Sequence, residues 1–191
     1  MRKGTLKYVL ISLVCAVCLC GCINKVDGDY HPQLRMKIDG KEYLLNTKDG
    51  LGDIFYLRKE SFSLYINNSY TIAPDAFTFK FMISAEGEPE IGRKYTLPTV
   101  ETEKAWESFV VLSRWGNVVQ GGTSKDYTWH VKDGWLKFTF FKVMEAEEKC
   151  LVDGDFGFTL YNIEDPEKTL EITSGRFRDF YIDYWNVRDL M

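Results

Sequence analysis

The residues able to carry chemistry are few and poorly grouped. The chain has two histidines in 191 residues, His31 and His130, 99 positions apart, with no His-x-x-x-His spacing for a metal. No Gly-x-Ser-x-Gly elbow, phosphate loop or Gly-x-Gly-x-x-Gly turn occurs. Asp153 with Asp155, and Asp179 with Asp183, are two or four residues apart. That spacing would put each pair on one face of a strand, where paired carboxylates can run glycoside hydrolysis. A solvated strand face needs the same spacing, so the pairs do not by themselves define an enzyme. Asp153-Gly154-Asp155 supplies too few oxygens for a calcium cage. The expectation is a non-catalytic chain with no metal site and no cofactor.

Cys22 is the residue with the clearest chemical role. Arg2, Lys3 and Lys7 precede an apolar run from Tyr8 to Cys20. Thirteen residues are too few for the roughly 20 that cross a bilayer as a helix, and the layout is that of a secretory signal. The run ends in Leu19-Cys20-Gly21-Cys22, which resembles the bacterial lipobox, with Cys22 as the acylated new N-terminus. Two or three acyl chains anchor a protein stably, since each buried CH₂ adds about 0.8 kcal/mol. Residues 1–21 are therefore read as a lipoprotein signal peptide and 22–32 as a lipidated tether. Extended, that tether reaches at most about 35 Å from the membrane. Asp27 and Asp29 within it are read as part of a solvated linker. They also look loosely like an acidic export signal of surface lipoproteins.

Cleavage before Cys22 removes three of the 24 basic residues and none of the 28 acidic ones, taking the net charge from −4 to −7. An acidic balance argues against nucleic acid as a partner. Cys150 is then the one free thiol. It has nothing to pair with, so the fold must hold by core packing, and the thiol is expected to be buried and inert.

The other chemically suggestive group is aromatic. Trp106, Trp115, Trp129, Trp135 and Trp185 all lie beyond the tether. Indoles fill the cores of disulfide-free β proteins, and exposed ones stack on sugar rings. Most are expected in the core. Trp115, Tyr127, Trp129 and Trp135 are the ligand-binding candidates, because Trp115 borders the Gly116–Lys125 loop and the other three flank a presumed hairpin.

Positioning these residues falls to strands. Asp39-Gly40 separates Gln33–Ile38 from Lys41–Asn46, a hairpin with a type I′ turn. Ile54–Arg58, Phe62–Ile66 and Ala76–Ser84 follow, the last placing Phe77, Phe79, Phe81 and Ile83 on one face. Tyr95–Leu97 is a short extended piece. Thr99–Ser113 reads as a helical turn or loop and then a strand at Phe109–Leu112. Asp133-Gly134 between Tyr127–Lys132 and Trp135–Met144 reads as a second hairpin, across which Trp129 and Trp135 would pair. Glu145–Lys149 is a charged connection. Alternation at Phe156–Tyr161, Leu170–Thr173 and Asp179–Tyr184 completes about ten strands with no long helix. The pattern predicts an all-β domain over 33–191, an antiparallel β-sandwich, with a lipocalin-like closed β-barrel as the alternative. Gly175 is expected at a tight turn or bulge.

Gly134-Trp-Leu-Lys-Phe-Thr-Phe140, Val152-Asp-Gly-Asp-Phe-Gly-Phe-Thr-Leu160, Leu170-Glu-Ile-Thr-Ser-Gly-Arg-Phe177 and Ile91-Gly-Arg-Lys-Tyr95 together resemble an uncharacterised family of all-β lipoproteins from gut Bacteroidetes. The similarity spans roughly residues 33–185. It implies an all-β fold and an outer-membrane location, on the periplasmic or cell-surface face, and carries no catalytic residue. The expected role is a membrane-anchored binding or accessory module for glycan or a protein partner. The alternative is a lipocalin-like carrier of a small apolar ligand.

Overall fold

A computed structural model describes residues 31–45, 53–72, 76–98, 106–114 and 128–186. The signal segment, Cys22, tether residues 23–30, Trp115, Tyr127 and the Gly116–Lys125 loop lie outside the described residues. So do residues 101–105 of the helical turn or loop expected within Thr99–Ser113, while Trp106 is neither helix nor strand.

Ten strands are present among the described residues: β1 (Gln33–Ile38), β2 (Lys41–Leu45), β3 (Ile54–Leu57), β4 (Ser61–Tyr70), β5 (Phe77–Glu86), β6 (Lys94–Leu97), β7 (Phe109–Arg114), β8 (Thr128–Met144), β9 (Lys149–Asn162) and β10 (Thr169–Asn186). The fold is all-β, and the one helical piece among the described residues is a single 3₁₀ turn at Glu145–Glu147. The alternation read at Phe77–Ile83 is realised: Phe77, Phe79, Phe81 and Ile83 are buried, while Thr78, Lys80 and Met82 are partly exposed.

The sandwich is not the architecture that forms. The pairings run β10–β3–β4–β5–β7–β8–β9 and return to β10, a closed barrel of seven strands. Its one parallel seam joins β10 to β3. β1 and β2 extend the sheet from β10, and β6 extends it from β8. The physical reason is strand length. β8 has 17 residues and β10 has 18, long enough for each to serve both walls. β8 pairs with β7 at residues 128–130 and with β6 at 134–137. β10 pairs with β1 early and with β3 at 183–186. Both are bulged, β8 between Val131/Asp133 and Phe138/Phe140, and β10 between Ile172/Gly175 and Phe177/Phe180. A bulge bends a strand and sharpens its twist, which is how a sheet turns a corner.

The second expected hairpin is also absent. Asp133 and Gly134 lie within β8, and β9 runs beside them from Trp129↔Asn162 to Met144↔Lys149. A continuous partner strand satisfies the backbone there, so no turn forms. The first hairpin does form: Asp39 and Gly40 have φ of 47° and 82°, the left-handed pair that a type I′ turn demands.

The barrel interior is filled with rings. Phe79 and Phe81 of β5 meet Phe156 of β9 at centroid distances of 5.8 and 5.7 Å, and Phe81 meets Phe158 at 6.0 Å. Phe177 meets Phe81 at 6.3 Å and Phe180 at 5.8 Å. Each such pair adds about 0.5–1.5 kcal/mol beyond the area it buries. Packing of this kind holds the barrel with no disulfide among the described residues. Cys150 is fully buried, and burial, with the charge of Asp183 added, pushes its thiol pKa far up.

Candidate functional site

The residues of β8, β9 and β10 that point away from the rings form an outer wall. Leu136 and Phe138 point inward, so Trp135 and Lys137, at the alternate positions, point out. Phe156 and Phe158 point inward, so Gly157 between them faces out. Trp135 and Gly157 are direct register partners. A Cβ on Gly157 would lie 3.2 Å from Trp135 Nε1 and 3.5 Å from Cε2. The indole thus rests on the bare glycine backbone.

Opposite Gly157 on its other side, β10 carries two residues where one would fit. Ile172 pairs with Phe158 and Gly175 with Phe156, leaving Thr173 and Ser174 as the bulge. Ser174 takes a left-handed φ of 51°. Both are exposed. The result is a cleft of about 220 Å³ with Gly157 at its base, Trp135 on one side, and Asp133, Thr159, Glu171, Thr173 and Ser174 around it. Pockets for drug-sized ligands run to about 300–1,000 Å³, so this one suits a single ring-sized group.

The cleft is braced from both sides. Thr159 Oγ1 donates to Glu171 Oε2 at 3.4 Å. The Glu171 N–H donates to Asp39 Oδ1, and the Asp39 N–H donates to the Glu171 carbonyl, both at 3.0 Å. The first hairpin turn is thereby locked to β10 beside the cleft. On the other side Lys94 Nζ sits 4.5 Å from the centre of the Trp135 ring, a cation–π contact.

Trp129 does not join this site. It lies six residues earlier on the same strand, paired with Asn162 and Leu112, and packs against the core. With no hairpin at Asp133-Gly134, the expected pairing of Trp129 with Trp135 across it does not occur. The buried Trp129 Nε1–H finds no acceptor among the described residues. Asp153, Asp155 and Asp183 of the two carboxylate pairs are each engaged with other groups. Asp153 is buried, and its Oδ1 accepts the Asp179 N–H at 2.7 Å, holding the second β10 bulge. Asp155 is held by Arg178 at 2.5 Å and by Lys137 at 3.5 Å. Burial pushes the Asp155 carboxyl up, but those two cations outweigh it and hold its pKa below the usual range. Asp183 pairs with Lys149.

A second aromatic group departs from the expectation that most tryptophans lie in the core. Trp185 is 54% exposed and Trp106 37%. Both pack edge-on against Tyr56, at 5.9 and 5.4 Å, and the Arg58 guanidinium lies 3.2 Å from the Trp106 ring centre. The parity of β10 held the signal: Phe180, Ile182 and Tyr184 point inward, so Trp185 must point out.

Comparison of the chain with protein-family models, with curated proteins and with solved structures gave no match in any of the three.

Proposed function

We propose that this protein is a non-catalytic carbohydrate-binding module, tethered to the outer membrane through acylated Cys22 and related to the all-β lipoproteins of gut Bacteroidetes. One observation carries the reading. Trp135 lies across Gly157 in an outward cleft that is lined by Phe156, Phe158 and Ile172 and also bears the hydroxyls of Thr159, Thr173 and Ser174 and the carboxylates of Asp133 and Glu171. Sugar recognition needs that combination: an aromatic surface for the apolar face of a pyranose, and polar groups for its hydroxyls. Asp133 and Glu171 are exposed to water, which suits hydrogen-bond acceptors for hydroxyl groups.

The carrier reading has less behind it. A carrier barrel keeps an interior space for its ligand. Here the rings of Phe79, Phe81, Phe156, Phe158 and Phe177 meet across the interior, which favours recognition on the outside.

Calorimetry of the full-length protein against neutral and acidic oligosaccharides tests the proposal. Binding that disappears in Trp135→Ala, with the melting temperature of the variant still cooperative, is the expected result. If no saccharide binds or raises the melting temperature, the proposal fails, because a ligand at a hundredfold excess over Kd must add about 2.7 kcal/mol.

A further inference from the structure

The strand register aligns one row of outward side chains across the wall: Arg35 on β1, Arg176 on β10, Asp155 on β9, Lys137 on β8 and Lys94 on β6. Two of its direct cross-strand pairs are like-charged, Arg35 with Arg176 and Lys94 with Lys137. Like charges placed opposite one another on one face of a sheet are destabilising. The row is partly neutralised. Arg35 reaches Glu42 at 3.3 Å, and Asp155 serves both Lys137 and Arg178. Arg176 and Lys37 are exposed and have no ion-pair partner among the described residues. Along the row six cations, counting Lys37 and Arg178, thus stand against Glu42 and Asp155, with Asp133 and Glu171 at the rim of the neighbouring cleft, on a chain whose net charge is −4. The adjacent row holds Lys37, the Thr173–Ser174 bulge, Gly157 and Trp135, so the cations run alongside the cleft.

We infer that the face selects an acidic polysaccharide, whose carboxylate or sulfate groups settle on Arg35, Arg176, Lys137 and Lys94 while one sugar ring stacks on Trp135. This rests on the carbohydrate reading above. Strands stand about 4.8 Å apart, so the row covers about 19 Å from β1 to β6. That distance fits several units of an extended glycan. An anionic chain would supply the counter-charge that the like-charged pairs lack, with charge-assisted hydrogen bonds to both arginines. Nucleic acid is disfavoured, because the chain as a whole is acidic and one indole beside the row gives no platform for successive bases.

The test is calorimetry of the full-length protein with polygalacturonate and a sulfated glycosaminoglycan, against neutral dextran and xylan. A single-stranded DNA oligomer and anionic phospholipid vesicles serve as further anions. The expected result is tight, salt-sensitive binding of at least one acidic polysaccharide. Arg176→Gln and Lys94→Gln should each weaken it about tenfold, as the loss of one charged hydrogen bond implies. Arg176→Gln should also raise the melting temperature, because it relieves repulsion with Arg35; a merely structural arginine would lower it. Equal binding of neutral glycans, unchanged in the two variants, overturns the acidic class and leaves the carbohydrate reading intact. Binding of DNA or vesicles as tight as that of the polysaccharides overturns the choice of a glycan. Failure of every polysaccharide overturns both readings.

Discussion

The ring of Phe156 lies flat against the backbone of Gly175, its register partner across β9 and β10: a Cβ built on Gly175 would sit 2.3 Å from Phe156 Cε2. The same contact recurs two pairs along the ladder, where Phe177 covers Gly154. In each pair the glycine lets a neighbouring ring lie on the sheet, and the two rings then meet Phe81 of the opposite wall.

Gly175→Ala should therefore displace Phe156 from its place among Phe79, Phe81 and Phe158. Overpacking of this sort costs about 1–3 kcal/mol. Phe156→Ala should cost about 3–5 kcal/mol, since it leaves a cavity at the centre of the barrel. Urea unfolding of the two variants measures both values. A neutral Gly175→Ala would show that the ring has somewhere else to go.

Trp135 and Trp129 should separate binding from stability. Trp135 rests on the outer surface and Trp129 packs on the core, although both belong to β8. Trp135→Ala should weaken saccharide binding by about 2 kcal/mol or more, the range of a binding hot spot, with a small change in melting temperature. Trp129→Ala should destabilise the fold and leave the affinity of the surviving folded protein unchanged. Parallel titrations and thermal melts distinguish the two.

Asp53 should make the fold less stable as the pH rises past the acid range. Burial raises its carboxyl pKa to about 6, against the opposing hydrogen bonds from the Asn67 N–H and from Asn68 Nδ2. A carboxyl with a raised folded-state pKa favours the folded state when protonated. That contribution is complete below the unfolded value of 3.8 and is lost as pH climbs through about 6. At neutral pH the penalty is at most about 3 kcal/mol, from 1.36 kcal/mol per pKa unit, and partial exposure reduces it. Asp53→Asn should thus stabilise the protein at pH 7 and have little effect at pH 3.5. Denaturant midpoints at the two pH values check this. Equal effects at both would show that the carboxyl is already ionised in the acid range.

Cys150 should react with thiol reagents only on unfolding. It has no exposed surface, and burial holds its thiol in the protonated, unreactive form. The rate of alkylation at pH 8 should track global stability and rise with urea in step with the unfolded fraction. Prompt labelling of Cys150 in the native protein would place it in a locally opening segment.

The parts of this protein that depend on near neighbours were legible in the chain. The alternation of Phe77, Phe79, Phe81 and Ile83 set which face of β5 is buried, because the side-chain period of a strand is two. The Asp39-Gly40 turn followed from two adjacent residues able to take positive φ. The all-β class followed from many such runs. Tertiary structure decided what depends on distant partners. Asp133-Gly134 is the same dipeptide as Asp39-Gly40, yet it stays extended because β9 lies beside it along the whole of β8. That strand length, with the bulges, closed a barrel where a sandwich was expected. Trp135 was visible as an aromatic residue worth notice, but Gly157 beneath it was not, because register between strands is fixed by the whole packed sheet. The row from Arg35 to Lys94 was hidden for the same reason: its members are scattered over 142 residues of chain and become neighbours only when five strands align.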